Sequence, residues 1–203
     1  MYKLNPFRAP PLLGLEITPK GAALVQLQKT RRGFHLLHAT TIPLPPELFN
    51  DETAITGFDE LSTLITDQVN RLGLRGSPAA ICMPQRQVRI EKYWLSPELS
   101  DEEMAADIEV ILQQATLPFQ ESFSFDFTRM QSKDRLALKQ EVFVVAIKTR
   151  YLSAIIDCIE RAGLKVKIVE VDTFARERAQ GAPEMAPDLL AAYGAAMREV
   201  PAW

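Results

Sequence analysis

The sequence predicts a mixed α/β (α+β) fold: a sheet-based parent domain interrupted by an inserted lobe of strand, helix, two strands and helix. Three observations predict it. Residues 12–42 read as three strands joined by short turns, and a helix and a short apolar strand follow. Beyond Pro84 the strands acquire one polar face and a sharply capped helix separates them. At residues 166–171 an apolar run returns to the parent sheet.

Taken in order, residues 1–11 form an irregular leader with Pro6, Pro10 and Pro11. Residues 12–17 and 22–28 are strands around the turn Thr18-Pro19-Lys20-Gly21, and 34–42 is the third strand. Pro43, Pro45 and Pro46 end the sheet. Ile55, Phe58, Leu61, Leu64, Ile65, Val69 and Leu72 make one helical stripe, which Gly73 ends. Ala79 to Met83 reads as a buried strand beside the first.

The insertion opens at residue 87. Val88, Ile90 and Lys92 alternate with Arg89, Glu91 and Tyr93, which gives that strand one wet face. Ser100 and Glu103 form a capping box, and Asp101, Glu102 and Glu103 suit the positive end of a helix dipole. Met104, Ile108, Ile111, Leu112 and Ala115 share one apolar face, and Pro118 stops the helix. Phe123, Phe125 and Phe127 alternate as a core-facing ladder, and residues 132–135 read as a turn. A strand at 141–147 and a helix at 150–162 complete the lobe. Asp172 is placed to cap a helix through Ala179, residues 181–187 read as a linker, and Asp188 is placed to cap a last helix rich in alanine. The parent domain is thus residues 12–86 with 168–199, and the insertion 87–167.

The totals restrict function. The net charge of −3 gives no general attraction to nucleic acid. The basic stretch Lys29 to Arg32, beside Gly33, reads as a solvated turn. Cys82 and Cys158 lie far apart in apolar runs without a second ligand, as buried thiols in a reducing compartment. No apolar run approaches the ~18 residues of a membrane span, so membrane contact is expected only through a partner. His35 and His38, three apart on a strand, are expected on opposite faces, and no metal site is expected. No serine sits in a nucleophile elbow, and no catalytic residue is assigned. Thr18 to Gly21 reads either as a plain turn or as an anion cradle. Tyr93 and Trp94 read either as exposed anchors or as residues that close the junction of parent and insertion.

The order of these pieces resembles the actin-like superfamily, and within it the PilM family of type IV pilus proteins. The resemblance rests on Gly14-Leu15-Glu16-Ile17-Thr18 and Leu24-Val25-Gln26-Leu27, then Ile42-Pro43-Leu44-Pro45-Pro46 and Ala80-Ile81-Cys82-Met83-Pro84. It continues through Leu99 to Met104 and Ala115 to Phe119 in an insertion of the type found in FtsA. It closes on Ala162-Gly163-Leu164-Lys165-Val166 and Val171 to Ala179, and covers about residues 12 to 180.

The resemblance implies a cytoplasmic adaptor, peripheral to the inner membrane, that binds the short N-terminal tail of a PilN-like membrane protein between parent domain and insertion. The candidate contacts are Ile90, Lys92, Tyr93, Trp94, Ile108, Leu112 and Leu117. An FtsA-like or type II secretion (GspL-like) module with another partner is the alternative, as is a residual nucleotide-binding protein, and a homo-oligomer stays open. The family's second actin-like domain is expected to be replaced by the linker at 181–187. Glu16 stands where the family usually has Asp, and Ala23 where it usually has Lys. The phosphate turn (Glu16, Thr18, Lys20, Gly21) is therefore expected to be vestigial, with no bound cofactor and no ATP hydrolysis.

Overall fold

The computed structural model describes residues 10–50, 54–115, 121–131, 138–181 and 185–199. Element order is β1 (Leu12–Thr18), β2 (Gly21–Thr30), β3 (Gly33–Ile42), α1 (Phe58–Arg71), β4 (Pro78–Met83), β5 (Val88–Leu95), α2 (Asp101–Gln114), β6 (Phe123–Arg129), β7 (Gln140–Lys148), α3 (Thr149–Arg161), β8 (Lys165–Val171), α4 (Asp172–Arg178) and α5 (Leu190–Ala196). The chain divides into two compact units, one up to Gln85 and again from Ile155, the other Arg86–Ala154.

The first unit is built on a five-stranded sheet ordered β3-β2-β1-β4-β8. The meander β1–β2–β3 is antiparallel, and β4 and β8 run parallel to β1. Tight turns join the meander strands, and helices α1 and α3 supply the crossovers that parallel neighbours need. β1 lies near the centre, which explains its near-continuous apolar sequence: Leu12, Leu13, Leu15 and Ile17 are all buried.

Small residues set how closely the helices approach this sheet. A Cβ on Gly14 would lie 1.8 Å from the carbonyl oxygen of Ala192, so the backbones of β1 and α5 are in direct contact. A Cβ on Gly194 would lie 1.8 Å from the carbonyl oxygen of Ala175, which puts α5 equally close to α4. Ala191 and Ala195 pack with Leu12, Ala80, Cys82 and Ile168. Ala192 and Ala196 pack with Ala23, Val25 and Leu27. Both cysteines are buried, as their apolar surroundings predict.

Four boundaries differ from the sequence reading. Ile55 is buried outside the helix: it bridges Phe49, while Thr56 and Gly57 donate to the Leu48 carbonyl, and α1 begins at Phe58. The end of α3 and all of β8 belong with the first unit. Ser62 Oγ donates to the Cys158 carbonyl at 3.1 Å, and β8 pairs with β4 from Lys165 onward, so residues 155–167 are not part of the insertion. Asp172 is the first residue of α4 and makes no N-cap bond; its carboxylate accepts from Thr173 N at 2.8 Å and Gln85 N at 3.0 Å. Asp188 sits in a 3-10 turn, Pro187–Leu189, and does not cap α5.

The second unit is a three-stranded antiparallel sheet ordered β5-β7-β6, with α2 against one face. The capping box is formed: Ser100 Oγ accepts from Glu103 N at 3.2 Å, and Glu103 accepts from Ser100 N at 2.8 Å. That backbone hydrogen bond holds the Glu103 carboxyl below its ordinary range. Arg129 of β6 pairs with Asp101 at 2.7 Å and donates to the Leu99 carbonyl, which ties the helix start to the sheet. Met104, Ile108 and Leu112 bury themselves against Val142, Val144 and Ala146, with Phe123, Phe125 and Phe127 packed beside them. The stop at Pro118, the turn at 132–135, the leader up to residue 9 and the centre of the 181–187 linker lie outside the described residues.

The close backbone approach gives a direct expectation. Gly14→Ala and Gly194→Ala each force a methyl group into a rigid carbonyl, an overpacking cost of about 2–3 kcal/mol. Each substitution should lower the melting temperature in a thermal scan by about 5–10 °C, whereas Gly73→Ala, where no atom lies within 4 Å, meets only the penalty of its positive φ.

Candidate functional site

The first candidate site forms at the β1–β2 turn. Gly21 has φ +143°, a backbone that favours glycine, and Thr18 Oγ1 donates to the Gly21 carbonyl at 3.2 Å and accepts from Lys20 N at 3.3 Å. Beside the turn lies a cavity of about 510 Å³, lined by Glu16, Thr18, Lys20, Gly21, Arg176 and Asp188 among others.

Glu16, which lines this cavity, is buried, and Arg176 of α4 pairs with its carboxylate. The second prong of the same guanidinium donates to the Pro187 carbonyl at 3.1 Å. Burial raises the Glu16 carboxyl above its ordinary value, Arg176 opposes that rise, and Asp172 and Asp188 add to it. The sign follows: a carboxyl with a raised folded pKa favours the folded state at low pH and loses that contribution as pH rises through the folded value. Two residues along, Arg178 holds Glu170 through two bonds of 2.7 and 2.9 Å and donates to the Gly194 carbonyl at 2.8 Å.

The actin-like resemblance implies a magnesium nucleotide at this turn, and the residues present do not fit one. Beside a nucleotide, magnesium takes one or two protein carboxylates together with phosphate oxygens and water. The buried carboxylate that such a turn would offer is already engaged by a guanidinium. Arg176 and Asp188 were missed from the sequence as site residues because the fold brings them to Glu16 from far along the chain. The nearest signal was the pair of arginines, two residues apart, in the short helix after Asp172.

The histidines behave differently from expectation. A bulge in β3 pairs His35 with Gln28 and His38 with Gln26, and those two glutamines share a face of β2. His35 and His38 therefore share a face as well.

The second candidate site is β5, an edge strand bonded only to β7 within its sheet. Ile90, Lys92 and Trp94 lie on one face, opposite Val145, Phe143 and Glu141. Lys92 pairs with Glu141 at 2.9 Å, and Trp94 is 60% exposed.

Tyr93 lies on the other face with Arg89 and Glu91, opposite Val142, Ala146 and Val144 of the core. The face that reads as wet is thus the one α2 packs on, and its charges are internally paired. Arg89 reaches across the small Ala146 to place its guanidinium 5.7 Å from the centre of the Phe123 ring and bonds Glu91 at 2.7 Å. Tyr93 Oη donates to the other Glu91 oxygen. That hydrogen bond, with help from Arg89, holds the Glu91 carboxyl down, while burial and Glu91 push Tyr93 up to about 12.

Ile108 and Leu112, expected as groove walls, are enclosed in the core under the sheet and offer no surface, because α2 turns its apolar face to β6 and β7. Leu117 lies outside the described residues. No helix among the described residues is long and apolar enough to cross a membrane.

Comparison with known proteins bears on the whole chain. A family model described as type IV pilus assembly protein PilM matches residues 14–202. A solved structure of the PilM–PilN type IV pilus biogenesis complex is similar with a TM-score of 0.70 at 18% identity, over 84% of this chain and 50% of that one. The cytoplasmic domain of EpsL, an inner-membrane component of the type II secretion system of Vibrio cholerae, is similar with a TM-score of 0.51 at 13% identity, over 81% of this chain and 58% of that one. The chain spans about half the length of the PilM structure it matches. By sequence alone, no curated protein matches it.

The tyrosine provides a test of the β5 network. In an alkaline ultraviolet titration, the difference between the wild-type chain and Tyr93→Phe should report ionisation near pH 12. Glu91→Gln should bring that transition down toward the ordinary tyrosine value of about 10.

Proposed function

The chain belongs to the PilM family of type IV pilus assembly proteins, and from that premise we propose that it is a non-catalytic adaptor of the pilus inner-membrane platform. In this reading it holds the short cytoplasmic N-terminal tail of a PilN-like membrane protein and reaches the membrane only through that partner. The observation that carries the reading is the family match, which runs from residue 14 to 202 and so takes in both compact units. The resemblance to a PilM solved together with PilN supports the choice of partner.

The tail is proposed to lie along β5. An edge strand offers unpaired backbone groups, and an extended peptide gains affinity by pairing with them and specificity from alternate side chains. Ile90 and Trp94 supply an apolar strip on one face, with Lys92 between them. An exposed tryptophan at the end of such a strip is the residue type that most often anchors an interface.

A second reading, a type II secretion platform module, is favoured by the similarity to the EpsL cytoplasmic domain. The two readings share the fold and differ in the partner's tail.

Calorimetric titration of the full chain with a synthetic PilN-like N-terminal tail tests the proposal. Binding should occur without nucleotide, and Trp94→Ala should weaken it about tenfold or more with the melting temperature unchanged. No heat with that tail, alongside binding of a secretion-system tail, favours the second reading. Binding that requires ATP and magnesium contradicts the adaptor.

A further inference from the structure

We propose that Arg176 is a built-in cation that replaces a divalent metal at the β1–β2 turn, so that this site is set by an ion pair and is indifferent to magnesium. The inference goes beyond the tail reading and is independent of it.

Four observations carry it. Glu16 is the acidic side chain that rises from β1 toward the turn, and it is buried, so its charge needs a partner inside the protein. That partner is a guanidinium whose two prongs are both engaged, one by Glu16 and one by the Pro187 carbonyl. Arg176 therefore bridges three pieces of chain: β1, α4 and the turn at residues 187–189. A cation at this point is what a phosphate site would obtain from a metal, and here it is covalently part of α4.

α4 is also anchored independently. Arg178, on the same short helix, is fixed to Glu170 of β8 and to the Gly194 carbonyl of α5, and the Gly194–Ala175 backbone contact holds α4 against α5. Moving Arg176 aside to admit a metal would break its bonds to Glu16 and to the Pro187 carbonyl and so undo the tie between β1, α4 and the 187–189 turn.

Finally, the surrounding charges do not invite a magnesium polyphosphate. Asp172 and Asp188 face Glu16 with it, against Arg176 and the Lys20 side chain that lines the same cavity. Three acidic groups against two basic ones leave no positive excess for a polyanion.

The test is a thermal scan of the full chain with magnesium alone, with ATP and magnesium, and with ATP and EDTA. The account expects no component of stabilisation that depends on magnesium. ATP with EDTA is expected to add no stabilisation either, since the site holds no positive excess for a polyanion. In parallel, Arg176→Ala should lower the melting temperature by about 5 °C or more, Arg176→Lys by less, and Glu16→Ala combined with Arg176→Ala should recover part of the loss. If Arg176→Ala does not fold, the Lys variant and the double variant still read the coupling. A rise in melting temperature that needs both ATP and magnesium and disappears in Glu16→Gln would overturn the inference. So would an Arg176→Ala chain as stable as the wild type. Neither result depends on whether the tail peptide binds.

Discussion

The closeness with which a helix can approach β1 governs the first unit. Gly14 removes the one side chain that would keep α5 away, and the alanines of α5 present almost no bulk to the sheet. Because α5 sits directly on the strand backbones, α4 is drawn in beside it through Gly194. That places the arginines of α4 within reach of acidic residues on β1 and β8. A side chain at 14 or 194 would run into the Ala192 or Ala175 carbonyl and could not be accommodated at this spacing.

The ion pairs that result are a consequence of packing and a constraint on chemistry. A buried carboxylate beside a guanidinium adds little net stability over an apolar pair, because desolvation of both ions offsets their attraction. What it does fix is geometry: each arginine ties separate elements together through several bonds. In the second unit the Arg89–Glu91–Tyr93 chain plays a similar part. It neutralises the polar residues of β5 on the side that shares the core, and leaves Ile90, Lys92 and Trp94 on the other side.

Much of this was legible in the sequence. The meander, α1, the buried strand β4, the capped helix α2 and the phenylalanine ladder each carry a local signal, and each forms. What escaped were features fixed by distant residues. Ile55 fits a helical stripe but is claimed by a bridge to Phe49. Residues 155–167 follow the insertion in sequence yet pack with α1 and β4. The β3 bulge reverses the faces of His35 and His38, and no local pattern announces an extra residue. At the site, Glu16 stood out as a substituted position, but its partner Arg176 lies 160 residues away. Ile108 and Leu112 show why an apolar helix face is ambiguous: the same spacing serves a core or a groove, and only the register of β6 and β7 decides for the core.

In the proposed reading, the β1–β2 turn is occupied by the protein's own ion pair and the edge strand β5 receives the tail. Amide hydrogen exchange, measured with and without a PilN-like tail and in the absence of nucleotide, tests this most directly. The account predicts that the tail slows exchange along residues 88–95 and leaves residues 16–21 unchanged. Protection at 16–21 with none along β5 would contradict it.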